Sequence, residues 1–155
     1  MQISNKVQLL YSTYDFKIRQ NKGDEIWDII RRKWVKLTPE EWVRQHFVHY
    51  LITDCGFPAA WISVEKQIRV NGMQRRTDMV LYNQAGAPRI IVECKAESVR
   101  LDNTTFQQAA NYNLTLQVPY LIITNGSHAM SAHIDREAGR FEMLEGLPPE
   151  ILQKA

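Results

Sequence analysis

The chain is poor in cysteine: only Cys55 and Cys94 occur in 155 residues. Two thiols exclude a disulfide framework and a cysteine-rich zinc cluster. Cys94 lies between two charged residues in an apolar run, the setting of a buried free thiol. Long hydrophobic runs are absent; stretches such as Leu121-Ile122-Ile123 are far too short to span a membrane. No charged start followed by a signal-like apolar stretch is present, so a cytoplasmic location is expected. Repeats, low-complexity segments and linkers are also missing. The histidines are scattered, and His46 and His49, three apart on an expected helix, have no third ligand nearby, so no zinc site is expected. Neither sign of charge dominates: 19 Lys and Arg face 17 Asp and Glu, a net charge of +2. A polyanion would have to be met by local clusters rather than by an overall field. A Gly-x-x-x-x-Gly-Lys-Ser/Thr phosphate loop is absent from these residues.

What is present suits one folded domain. Hydrophobic residues make up 45% and charged residues 23%. We read 1–155 as a single unit, with an N-terminal extension over 1–37, a core over 38–126, and a terminal hairpin and tail over 127–155. The extension is ambiguous: Val7 to Ile18 reads as strand, and Ile26 to Val35 fits a short helix or an irregular strand. Thr38-Pro39-Glu40-Glu41 is a helix start, with Thr38 as cap, Pro39 in the first turn and Glu41 at the capping-box position. Val43, Phe47, Tyr50 and Leu51 follow at helical spacing, and Gly56 and Pro58 end the helix. Strands are predicted over Trp61 to Val70, Arg76 to Tyr82 and Arg89 to Lys95, the first two joined by the turn dipeptide Asn71-Gly72. The run Ile90-Ile91-Val92 suggests a strand covered on both faces. Thr104 or Thr105 opens a second helix to about Leu116, each preceding a Gln by three. Tyr120 to Thr124 is a short buried strand; Ala129 to Asp135 and Arg140 to Leu144 form a hairpin around Gly139. This alternation predicts an α/β fold, a central mixed β-sheet flanked by helices, with the helical crossover making the third and fourth core strands parallel.

Glu93 and Lys95 are two apart on a predicted strand and share a face. Asp78 lies on the preceding strand, which the short loop makes a neighbour. Two carboxylates converging at a sheet edge form a hard oxygen site suited to Mg²⁺ or Mn²⁺. A nearby ammonium would orient an attacking water or offset charge on a phosphate. The competing structural reading is a surface salt bridge between Glu93 and Lys95 beside a solvated Asp78. Two basic clusters, Arg31-Arg32-Lys33 with Lys36, and Lys66, Arg69, Arg75 and Arg76, are either solvated faces or phosphate contacts.

Asp78 with Glu93-Cys94-Lys95 resembles the core motif of the PD-(D/E)xK nuclease superfamily. Thr77 stands where the superfamily name has proline. Gln108 and Tyr112, four apart on a helix and so on one face, match its Gln-x-x-x-Tyr element. A more local resemblance is to the N-terminal nuclease domain of type I restriction enzyme R subunits. It is carried by Thr38 to Gln45, Arg76-Thr77-Asp78, Ile91 to Lys95, Phe106-Gln107-Gln108 with Tyr112-Asn113, and Leu121 to Gly126. The resemblance implies a restriction-endonuclease-like αβββαβ core and a Mg²⁺- or Mn²⁺-dependent DNA endonuclease. Asp78 and Glu93 would hold the metal, with Glu41 completing the site directly or through water. Glu40 competes for that place, because it lies closer to the face of Val43 and Phe47. Lys95 would act on the water or the phosphate, and Gln108 and Tyr112 would position the metal site or the DNA backbone. For this pair the structural alternative is a core tyrosine and a helix-capping glutamine. DNA is the implied partner, together with other restriction or defence subunits. The alternative function is a non-cleaving module that binds nucleic acid or protein and needs a partner subunit.

Overall fold

The structure is a computed structural model, and it describes residues 6–70, 73–114, 118–135 and 137–151, with the side chains at 66–70, 73 and 75 outside the description. The Asn71-Gly72 turn and the side chains of Lys66, Arg69 and Arg75 therefore lie outside the described residues. Ten strands and two α-helices occur among the described residues. The N-terminal part supplies β1 (Val7–Gln8), β2 (Ile18–Gln20), β3 (Asp24–Asp28) and β4 (Lys33–Lys36). The core supplies α1 (Pro39–His49), β5 (Ile62–Val70), β6 (Met73–Tyr82), β7 (Pro88–Cys94), α2 (Asn103–Asn113) and β8 (Tyr120–Thr124). The terminal hairpin is β9 (His128–Asp135) and β10 (Arg140–Met143).

One mixed sheet has the order β1-β9-β8-β7-β6-β5, with β10 on β9. Strands β5, β6 and β7 form an antiparallel meander, and β7 and β8 pair in parallel across the α2 crossover, as expected from the element order. Strands β2, β3 and β4 form a separate antiparallel sheet. This settles the ambiguity over Ile26 to Val35 in favour of strand. Ile26 is fully buried, and Trp27 pairs edge-on with Trp34 across the ladder at 5.5 Å. Alternate apolar and polar side chains here serve a two-faced ribbon rather than a helix.

The two helices cover opposite faces of the main sheet. Val43, Phe47, Val48 and Leu51 of α1 and the turn after it pack on Met79, Leu81, Ile90, Val92 and Ile122. Phe106 and Ala110 of α2 pack with Ile91, Leu121 and Ile123 on the other side. The alternation of Ile90, Ile91 and Val92 between these two cores is the physical reason for the unbroken apolar run. Thr38 caps α1 as expected, its hydroxyl accepting the Glu41 N–H at 3.0 Å. A π-helical turn, Tyr50–Asp54, extends the helix before Gly56. The start of α2 is two to three residues earlier than expected, because Asp102 takes the N-cap, accepting the Thr105 N–H at 2.8 Å. An Asp side chain caps as well as Thr, and the Thr-x-x-Gln spacing had no further basis. No helix among the described residues is long and apolar enough to cross a membrane.

Candidate functional site

The C-terminal end of β7 is where the site forms. Beyond Cys94 the parallel pairing with β8 continues for one more bond, from the Lys95 N–H to the Thr124 carbonyl at 2.8 Å. That bond fixes the Lys95 backbone independently of its side chain. The turn after β8 is pinned as well. Gly126 has φ of +99°, and a side chain there would meet Val43 of α1 at 3.4 Å, so only glycine fits comfortably.

Asp78 and Glu93 come together. Asp78 Oδ2 accepts the Cys94 N–H at 2.8 Å, and its Oδ1 accepts from Arg44 Nη2 at 3.2 Å. The Glu93 carboxyl lies close enough to Asp78 to feel its charge. Burial, followed by the Asp78 charge, lifts the Glu93 carboxyl to about 7, while Lys95 and Arg44 pull it the other way. Two adjacent carboxyls that cannot both ionise cheaply are the usual consequence of packing acids for a purpose other than stability. The same surroundings push the Cys94 thiol up, by burial first and then by Asp78, so it stays an inert free thiol in the core.

Glu93 and Lys95 open into a cleft of about 370 Å³ that is also lined by Arg76 and by Thr105, Gln108 and Tyr112 of α2. The Gln108 and Tyr112 pair thus faces the same space as the two β7 residues. Tyr112 is exposed rather than packed in the core, and Gln108 lies in the body of α2 away from the cap.

Glu41 sits elsewhere, buried under α1. Its Oε1 accepts from Arg44 at 2.7 Å and from Arg31 at 2.8 Å, and its Oε2 accepts from Gln45 at 3.1 Å. Among the described residues, Arg44 links it to Asp78. Glu40, the competing residue, is exposed at the first turn. Arg31 is held in turn by Asp28, whose Oδ2 it reaches at 2.6 Å. Burial alone would raise the Asp28 carboxyl, but the Arg31 N–H and guanidinium hold it below its ordinary value. Glu65 completes the network, at 3.1 Å from Arg31 and 3.4 Å from Arg44. Sequence reasoning named none of Asp28, Arg44 or Glu65 for the site; the only signal for Arg44 was its place in the Thr38-to-Gln45 run. His46 and His49 lie in an aromatic cluster, His46 tilted against Phe16 at 4.5 Å and edge-on to Trp42 at 4.3 Å.

The chemistry of Asp78 and Glu93 fits a divalent cation. Mg²⁺ keeps most of its water and takes one or two protein carboxylates, and a cation between these two would relieve their repulsion. Among the described residues no group of three or more His, Cys, Asp or Glu is arranged to hold a metal.

The raised Glu93 carboxyl has a consequence for stability. Its folded value lies above the ordinary 4.5, so its stabilising contribution is complete below about 4.5 and is lost as pH rises through about 7. Without divalent cation, Glu93→Gln is expected to be more stable than the parent at mildly alkaline pH, by at most about 3 kcal/mol, and no more stable in acid. Urea unfolding across this pH range in EDTA checks it; parallel pH profiles for the two proteins would refute the assignment.

The chain matches the family model for the type I restriction enzyme R protein N terminus (HSDR_N) over residues 39–148. Among solved structures it resembles a fragment assigned as an HsdR subunit of a type I restriction enzyme from Vibrio vulnificus. That likeness has 21% identity and a TM-score of 0.48, and it covers 75% of this chain and 24% of the other. The chain thus spans about a quarter of that fragment. No curated protein matches. With most of its length inside the family model, the chain belongs to the type I restriction enzyme R protein N-terminus family, and its mixed sheet between two helices is the restriction-endonuclease-like fold of that family.

Proposed function

We propose that this domain is a divalent-metal-dependent endodeoxyribonuclease that hydrolyses DNA phosphodiester bonds. The observation that carries the reading is the closeness of Asp78 to Glu93, which lines a cleft together with Lys95. Mg²⁺ or Mn²⁺ held by this pair would supply an activated water and stabilise charge on the phosphate. Asp78 is oriented by the Cys94 N–H and Arg44, so its carboxylate presents a fixed face. Lys95 orients the attacking water and offsets the extra negative charge on the phosphate. Gln108 and Tyr112, across the cleft, position the DNA backbone. Glu41, outside the cleft and linked to Asp78 by Arg44, acts through water or through its ion pair with Arg44. The biological setting that goes with the family is a cytoplasmic restriction or defence assembly in which other subunits bring the DNA target.

A second reading is favoured by one observation: both Asp78 oxygens are already engaged by protein donors. In that reading the domain binds DNA or a partner subunit and cleaves nothing until the partner repositions Arg44. Calorimetric titration of Mg²⁺ and Mn²⁺ into the parent and Asp78→Ala, with DNA cleavage followed in the same buffers, separates the two. Metal binding lost in Asp78→Ala, together with metal-dependent cleavage by the parent, is the expected result. Binding without cleavage would favour the module, and no metal binding even with DNA present would overturn the nuclease reading.

A further inference from the structure

Arg76 has no part in the chemistry above, although it opens the Arg76-Thr77-Asp78 run. It precedes Asp78 by two on β6 and lines the cleft with Glu93, Lys95, Gln108 and Tyr112. Its Nη2 lies 3.1 Å from Oε2 of Glu65. Glu65 also holds Arg31 and Arg44, and the three arginines differ in exposure: the Arg76 side chain is 67% exposed, against 15% for Arg31 and 7% for Arg44. Arg31 is tied further to Asp28 and Glu41, and Arg44 to Glu41 and Asp78. Those two arginines are built into the fold, whereas Arg76 lies mostly exposed at the cleft with Glu65 as its ion-pair partner.

Glu65 is itself unusual. Its φ is +51°, a left-handed conformation that costs a non-glycine residue energy and tends to persist near functional sites. It falls between the Val64–Met79 and Lys66–Thr77 pairs, directly across from Asp78. The acidic side chain on this strained residue meets all three arginines, of which Arg76 lines the cleft.

We propose that Arg76 is a DNA-backbone clamp parked on Glu65, and that a phosphate of the bound strand takes the place of the Glu65 carboxylate. The proposal rests on the nuclease reading and adds to it a binding residue and a competing internal anion. A guanidinium meets phosphate oxygens with the same two-pronged geometry it uses for a carboxylate. An exposed ion pair is weak and screened, so the exchange costs little. When Arg76 leaves, Glu65 keeps Arg31 and Arg44 and is not stranded.

The test is fluorescence anisotropy of a labelled DNA duplex with the whole chain, in EDTA and again in Ca²⁺, over about 50–200 mM salt. Arg76→Ala is expected to bind several-fold more weakly, with a plot of log K against log salt shallower by about 0.9. Glu65→Gln is expected to bind more tightly, and that gain should vanish when Arg76→Ala is already present. Circular dichroism and thermal melting establish that each variant is folded, which the exposure of Arg76 favours. An Arg76→Ala protein with parental affinity and salt slope would overturn the clamp. So would a Glu65→Gln gain that survives the loss of Arg76, since general charge removal would then explain it. A parent that binds no DNA in either buffer would remove the nuclease reading and this one together; a binding parent with an unaffected Arg76→Ala removes the clamp alone.

Discussion

Lys95→Ala is expected to slow DNA cleavage by about 10²- to 10³-fold, the usual cost of losing one preorganised charge-stabilising group. The expectation follows from how the residue is held. The Lys95 N–H is bonded to the Thr124 carbonyl at 2.8 Å, so the strand end keeps its path when the side chain is cut back. The side chain shares the cleft with Glu93 and lowers that carboxyl's pKa. Removing the ammonium therefore has two separable effects. The chemical step loses its cation, and in the metal-free site the Glu93 carboxyl rises further above its value of about 7, so that protons compete better with the metal and its binding moves toward higher pH. Single-turnover cleavage at saturating DNA, measured across pH and metal concentration, reads both: the rate at saturating metal reports the first and the metal needed for half-maximal rate the second. Lys95→Arg should recover the pH profile more fully than the rate, because a planar fork does not replace a compact point charge. A Lys95→Ala protein that cuts at the parent's rate would remove Lys95 from the mechanism. It would leave Glu93 and Lys95 as ordinary charges at a strand end.

The parts of the fold that could be read from the chain are those specified by short-range chemistry. Thr38 and Pro39 start α1 because capping and the first-turn proline act within a few residues. Strand β7 was legible as doubly covered because two cores draw alternate residues from one apolar run. The parallel pairing of β7 and β8 followed from the crossover rule. The separate sheet of β2, β3 and β4 was not legible in the same way. Its stabilising pairs are cross-strand, such as Trp27 with Trp34, with Arg19 stacked 4.3 Å over the Trp34 ring. Two of its strands are only three and four residues long, too short for periodicity to distinguish them from a helical turn.

The candidate site divides along the same line. Asp78, Glu93 and Lys95 were legible because two lie on one strand and the third on its hairpin neighbour, so register alone brings them close. Gln108 and Tyr112 were legible as one helix face, and the cleft receives both. The arginine network was not, since its ion pairs join Arg31 to Glu65 and Arg44 to Asp78, each 34 residues apart. Nothing in local pattern announces such a pair; only the packing of α1 against the sheet and the strained Glu65 backbone create it. Glu41 shows how local and distant demands combine in one residue. Its backbone N–H completes the Thr38 cap, while its carboxylate turns inward to two arginines and Gln45.

Arg44→Met should be the most destabilising single change in this network, by about 3–5 kcal/mol, as when one partner of a buried ion pair is removed. Its side chain is 7% exposed and contacts Glu41, Glu65 and Asp78. Methionine fills much of the volume but leaves Asp78 without its cationic partner from α1, beside a Glu93 carboxyl that already repels it. Glu41 and Glu65 keep Arg31, so the loss falls mainly on Asp78. For a chain of this length the change corresponds to a melting temperature lower by roughly 10 °C. Two comparisons separate the causes. Saturating Mg²⁺ or Mn²⁺ should recover part of the lost stability if the cation takes over as the partner of Asp78, since a ligand that binds only the folded state stabilises it. In the double variant Arg44→Met with Asp78→Asn, much of the loss should disappear in EDTA, because the uncompensated carboxylate is gone. A double variant as unstable as Arg44→Met alone would mean that the arginine serves packing under α1 and has no electrostatic hold on the site.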